Sequence, residues 1–446
     1  MPTNNYLSFY KKVRSIFRNS LICAIAIIIA ATAVSAQKLT SIERGRAKDM
    51  LNAVKREIKG KYFDANFKGV DLDARFKDAE AKIDKAQTIG QTFGIIAQAV
   101  LELNDSHTRF IPPPTTVSSE YGFRMQMIGD KCLVIAVKPK SDAEKQGLKI
   151  GDELVAIEGF HPNRKDMWKI NYYYNVLSPR AGLNLRVLSP GETEPREMNV
   201  AAKIEKSTAR VSLDDLIRLI DLDTGTKIEH RFVKVGGTII WKMPSFTTSP
   251  ESIDDIMKGR IAGSSSLILD LRRNGGGYVV TLERLAGYFV DKDTKIADLK
   301  GRKDMDPQMA KTRGKDIFTG KLVILVDSNS GSASEIFARF VQLQQRGIVV
   351  GEQSAGAVMQ SQGVPMRMGV DSIIPYAMSI TNADVIMSDG ASLEHIGVTP
   401  QVEIIPTSAE VAAVQDKQLA AALQLLGHEV SPEEAGKMFP FEWKEN

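Results

Sequence analysis

A chain of 446 residues, 43% hydrophobic and 25% charged, is an ordinary globular composition with room for two or three domains and a sizeable core. The formal charge of +4 sits wholly in the first 36 residues, where Lys11, Lys12, Arg14 and Arg18 stand without an acid. The remainder is balanced, which gives no ground for a nucleic-acid or polyanion partner.

Residues 1–36 have the form of a secretory signal: a basic start ending at Arg18, an apolar run from Leu21 to Ala33, and Val34-Ser35-Ala36 before Gln37. Cleavage after Ala36 is expected. The 19 uncharged residues from Asn19 to Gln37 could also barely span a bilayer as an uncleaved anchor, the only membrane association the sequence offers. Cys23 follows Ile22, not the small residue of a lipid-anchor site. Cys132 is then the one cysteine of the mature chain, in the apolar run CLVIAV, where a buried inert thiol is expected. Export without disulfides suits a periplasm or the cell exterior.

Residues 37–114 read as a helical region of three amphipathic helices. Met50, Leu51, Val54, Ile58 and Tyr62 recur at helical spacing, as do Phe93, Ile96, Ala97, Val100 and Leu101, with a loop near Gly69. The last helix ends at Leu103-Asn104, Asp105-Ser106-His107-Thr108 follows, and Pro112-Pro113-Pro114 marks a boundary.

Residues 115–205 turn to short strands. AEKQGLKIGDELVAIE at 143–158 predicts a short helix, a turn and a strand, and resembles the AxxxGLxxGDxLxxIxG pattern of PDZ domains. The resemblance implies a peptide added as an edge strand, its terminal carboxylate held by the backbone of Tyr121-Gly122-Phe123. A small β-domain without a ligand is the plainer alternative.

Residues 206–406 read as α/β, and 407–446 as a helical tail. Strands are predicted at 238–243, 266–271 and 321–327, and helices at 250–258, from about 278, and over 332–345. Two strand–turn–helix units in succession imply a largely parallel sheet, with chemistry at the turns. One turn is Arg272-Arg273-Asn274-Gly275-Gly276-Gly277, whose glycines allow a close backbone approach to a bound carbonyl. Its spacing fits neither a phosphate loop nor a dinucleotide fingerprint. The other carries Ser332 at the start of a helix, where free N–H groups favour an oxyanion; Ser332-x-x-Glu335 is equally a capping box. No two histidines have metalloprotease spacing, and His161, His230 and His428 are scattered, so neither metal nor cofactor is expected.

The order helical region, PDZ-like segment, DLRRNGGG, SGSASEIFARFVQ, VVGEQSAG and GVTP resembles the C-terminal processing, or tail-specific, serine proteases of the tricorn-related group over nearly the whole mature chain. The resemblance implies a crotonase/ClpP-like α/β catalytic core with an inserted PDZ β-domain. It places the nucleophile on Ser332 and the oxyanion donors on the N–H groups of Ala333 and Gly276. The serine–lysine branch has a lysine where this chain reads Gly356-Ala357-Val358, and no lysine occurs between Lys321 and Lys417. Asp105-Ser106-His107-Thr108 and Leu393-Glu394-His395 instead resemble the branch with a histidine base and a glutamate. That resemblance gives His107 as base, Glu394 as the group fixing it, with Asp389 as rival, and Ser106 positioning His107 or lining the hole. A histidine base predicts activity falling as pH drops through roughly 6 to 7. The implied function is an exported endopeptidase acting on unfolded polypeptides with an apolar C-terminus. The alternatives are a catalytically degenerate PDZ-bearing scaffold and an acyl hydrolase using Ser332.

Overall fold

The computed structural model describes residues 39–114, 117–206, 229–369 and 373–443; the signal-like segment with its cleavage site and Cys23 lies outside them. Among the described residues, no helix is long and apolar enough to cross a membrane.

The centre is a six-stranded sheet ordered Val402–Glu403, Ile348–Gly351, Lys321–Val326, Ser266–Asp270, Thr238–Lys242 and Arg231–Val235, parallel except for the last strand. Its inner strands Ser266–Asp270 and Lys321–Val326 are near-continuous apolar runs because both faces are covered. Trp241, Leu267, Leu269 and Ile324 pack beneath the helices Val279–Ala286 and Ala333–Leu343, while Ile240, Ile268, Val323 and Leu325 meet Leu419 and Leu423 of the helix Lys417–Leu425. The two-residue alternation thus divides one sheet between two cores.

A second, antiparallel sheet was not foreseen from the sequence. The hairpin of Met359–Met368 and Ile374–Met387 pairs with Thr294–Gly301, and also with the short strand Arg109–Ile111 just after His107, in the register Phe110 to Met378. The helices Ser41–Lys61, Leu72–Lys85 and Ile89–Leu101 close on this sheet. Met50, Val54, Ile58, Ile96 and Val100 share one core with Phe110, Tyr376, Met378 and Ile380. The helical region therefore shares its apolar face with strands some 270 residues away in sequence, and this joint core fixes where His107 stands.

Where the sequence resembles a PDZ domain, the chain forms a five-stranded antiparallel sheet ordered Phe123–Ile128, Lys131–Val137, Glu153–Ile157, Gly182–Leu188 and Arg196–Ala201. Its core holds Cys132, Val134, Leu154, Leu185 and Val187. Burial pushes the Cys132 thiol up to about 12, so it stays protonated and unreactive. Polar contacts join this unit to the central sheet: Gln126 Nε2 donates to Asp327 Oδ2 at 2.7 Å, and Gly129 N–H and Arg164 both donate to Glu352.

Candidate active site

The strand Lys321–Val326 ends in a turn whose serines do different work. Ser330 Oγ is buried and donates to the Leu271 carbonyl, and Ser334 Oγ donates to the Asn274 carbonyl, both at 2.8 Å. They stitch this turn to the glycine turn. Ser332 is turned the other way. Its backbone has φ 53° and ψ −118°, a corner that costs a non-glycine residue on the order of 1–3 kcal/mol and persists only under tight surroundings.

Those surroundings centre on Glu335. Ser332 N–H donates to Glu335 Oε2 at 3.0 Å and to the Ala357 carbonyl at 2.9 Å; Ala357 N–H reaches the same Oε2, while Ser354 Oγ and Gly356 N–H donate to Oε1. Burial raises the Glu335 carboxyl to about 7 against the pull of these donors. Glu335 N–H bonds to the Ser332 carbonyl at 2.9 Å, and Ser332 and Glu335 close a capping box at the start of the helix. The hydroxyl has a partner outside that helix as well.

That partner is His107, with Nε2 at 3.3 Å from Ser332 Oγ. The turn bearing it is wound around Asp105, whose Oδ1 accepts from His107 N–H, Thr108 N–H and Thr381 Oγ1 at 3.0, 2.7 and 2.6 Å. Behind the imidazole, Ser106 Oγ lies 2.7 Å from His107 Nδ1 and donates to Glu394 Oε2 at 2.8 Å. Glu394 is held by the N–H groups of Ser106 and Val358 as well. Because the Ser106 proton goes to the carboxylate, its oxygen can only accept from Nδ1–H, which leaves Nε2 as the lone pair facing Ser332. Glu394 thus reaches the imidazole through Ser106. Asp389 is spent on Arg339 and the Ala391 N–H.

Burial, then the nearby charge of Arg109, lowers His107 to about 4, with Asp105 opposing. Burial raises Glu394 above the usual carboxylate range, against its bonds from Ser106 and Val358. At neutral pH the histidine is therefore an uncharged acceptor.

The glycine turn lies against this cluster. A Cβ on Gly276 would fall 2.7 Å from Ser332 Cβ and 2.9 Å from Ala333 N, so only glycine fits there, at φ 102°. Its N–H is engaged by Asn274 Oδ1 at 2.9 Å, whereas Ala333 N–H opens the helix, where no intrahelical acceptor exists. Tyr121, Gly122 and Phe123 lie on the five-stranded unit, outside the cluster. Tyr121 is buried, with its hydroxyl accepting from Arg180 N–H, and the Gly122 carbonyl takes the Lys138 N–H. Among the described residues, no three His, Cys, Asp or Glu side chains converge as a metal site.

In the sequence Asp105 and Asn274 are only members of their motifs, with no role assigned, Thr381 does not stand out, and Glu335 is only a cap. Asp105 had a legible signal, since an aspartate accepting from the N–H two residues on is an Asx turn. Thr381 had none, being brought in by strand pairing alone.

A hydroxyl on a strained strand-to-helix corner, with a neutral histidine at hydrogen-bond range and a carboxylate behind it, defines a site of the serine-hydrolase kind on an α/β scaffold. Residues 239–404 match the model of peptidase family S41. Among its relatives, the chloroplastic C-terminal processing peptidase of Tetradesmus obliquus is 24% identical over 427 residues, 91% of this chain and 84% of the relative. The tail-specific protease of Haemophilus influenzae is 24% identical over 71% of this chain, and the match spans only 46% of that protein. Two solved structures share the fold: the photosystem II D1 C-terminal processing protease (TM-score 0.52, 18% identity, 87% of this chain and 99% of that one) and mature CPAF (TM-score 0.63, 14% identity, 88% and 100%).

Proposed function

We propose that this chain is an exported serine endopeptidase that cuts unfolded polypeptides through Ser332, with His107 as general base. The observation that carries the reading is the continuous line Ser332 Oγ, His107 Nε2, His107 Nδ1, Ser106 Oγ, Glu394 Oε2, with successive contacts of 3.3, 2.7 and 2.8 Å. Ser332 attacks the scissile carbonyl while Nε2 takes its proton. The imidazolium is stabilised through Ser106 by Glu394 and then protonates the leaving amine. Water repeats the sequence on the acyl-enzyme. Ala333 N–H receives the oxyanion, joined by Gly276 N–H once that group leaves Asn274.

The PDZ resemblance supports recruitment of polypeptides by an apolar C-terminus at the Tyr121-Gly122-Phe123 loop, and the N-terminal segment supports a periplasmic or external location. The test is cleavage of an unfolded polypeptide with an apolar C-terminus by residues 37–446 and by folded Ser332→Ala, His107→Ala and Glu394→Ala variants. Losses of about a thousandfold for the serine and histidine variants are expected, because members of such a unit fail together. A parent that binds and never cuts refutes the reading.

A further inference from the structure

The chain's last described residues lie on the PDZ-like unit. After the helix Pro432–Met438, Phe439 joins the core under the central sheet, and Arg231 holds the Pro440 carbonyl at 2.9 Å and Glu442 at 3.6 Å. The segment then runs across to the five-stranded unit. Trp443 packs its ring under Arg124 at 4.9 Å and Lys138 at 5.6 Å, and is itself in a β-bridge. Phe441 stacks edgewise on Trp443 at 5.0 Å and lies under Arg273 at 5.4 Å.

These anchors stand at particular places. Arg124 belongs to Phe123–Ile128, an edge strand of its sheet and the one that follows the Tyr121-Gly122-Phe123 loop. Lys138 donates its N–H to the Gly122 carbonyl of that loop, and its ammonium pairs with Glu120. Arg273 opens the glycine turn beside Ser332, and its N–H is tied to Asp327 at the end of the nucleophile strand. Two half-buried aromatic rings therefore bridge the edge where a peptide would add and the turn beside the nucleophile.

We propose that residues 440–443 form an intramolecular strap over the Phe123 edge, and that an incoming polypeptide binds by displacing it. An edge strand has unpaired backbone groups, and cover by the chain's own segment is one way to keep them from pairing with other chains. Cations above aromatic faces hold such a cover weakly enough to exchange. The same cradle of Arg124 and Lys138 favours an aromatic side chain on the competitor. The proposal rests on the recruitment reading above for its consequence, though not for the strap itself.

The test uses the full chain carrying Ser332→Ala, with and without Phe441→Ala and Trp443→Ala, and a fluorescein-labelled peptide of the sequence of residues 436–443 as probe. Removing a cis competitor raises the affinity for the trans peptide by the inverse of the fraction of open edge, expected at roughly fivefold or more. Trp443→Phe, which keeps a ring under the cations, is expected to restore most of the parent's weak binding. Equal affinity for parent and double variant, with unchanged melting temperatures, overturns the strap. If the double variant gains the probe but a polypeptide with an apolar C-terminus does not compete for it, recruitment at this edge is overturned and the strap stands.

Discussion

Ser106→Ala isolates the link between base and carboxylate. The substitution removes one oxygen, 2.7 Å from His107 Nδ1 and 2.8 Å from Glu394 Oε2, and leaves the Ser106 and Val358 N–H groups still holding Glu394. The carboxylate therefore stays in place while its path to the imidazole is cut. In the transition state the imidazolium Nδ1–H then faces a gap the width of a hydroxyl. A hydrogen bond to a charged group contributes about 1.5–3 kcal/mol, so kcat should fall about 10- to 150-fold. KM should hold, because Ser106 Oγ is engaged by His107 and Glu394 and is not assigned to the substrate. The assay is steady-state cleavage of a fluorogenic peptide, with kcat and KM resolved. Because the link is in series, Ser106→Ala/Glu394→Gln should lose little more than the worse single variant. A kcat within threefold of the parent, or full additivity in the double variant, refutes the relay through Ser106.

Three further outcomes follow from the same geometry. With neutral His107 as the proposed base, kcat/KM should fall as pH drops through about 4, well below the 6–7 expected of a solvated imidazole, and a limb at 6–7 would show the ring is not desolvated. Burial pushes the Glu335 carboxyl up to about 7 from its ordinary 4.5, so the folded state holds its proton more tightly; the stability this gives is complete below 4.5 and is lost as pH rises through 7, by about 3 kcal/mol. Denaturant titrations across that window should show this slope in the parent and not in Glu335→Gln, whatever offset the lost hydrogen bonds add. Gly276→Ala must push its Cβ off Ser332 and Ala333, so reaction with a fluorophosphonate should drop by about a hundredfold or more while far-ultraviolet circular dichroism stays that of the parent; unchanged labelling would refute the close approach.

The central sheet was legible because fully buried parallel strands read as unbroken apolar runs, and KLVILVD and SLILDL could hardly be anything else. Ser332 was legible as a place, at a strand-to-helix corner, but not as a conformation. Its positive φ is imposed by Glu335 and by the 354–357 segment, contacts that no local pattern announces. The antiparallel sheet was hidden for a related reason. Arg109–Ile111 is three residues long and follows a helical region, so nothing nearby marks it as a strand until Ile374–Met387 supplies the partner. Glu394 over Asp389 was a choice between two acids five residues apart, and only the fold turned one toward Ser106 and the other toward Arg339.

The stretch Gly356-Ala357-Val358, where the resemblance puts the lysine of the serine–lysine branch, works here through its backbone. Its backbone is fully employed: Gly356 and Ala357 N–H fix Glu335, the Ala357 carbonyl takes the Ser332 N–H, and Val358 N–H fixes Glu394. One short segment thus holds the turn of the nucleophile and the carboxylate behind the base, without a side chain. The proposed base, His107, arrives on Asp105-Ser106-His107, pinned through Asp105 to Thr381 and through Phe110 to Met378. Rigidity at His107 is bought by the shared core of helices and antiparallel strands. Loosening that core by Tyr376→Ala or Met378→Ala should therefore reach catalysis through the 3.3 Å contact between His107 and Ser332 before it reaches the fold of the central sheet.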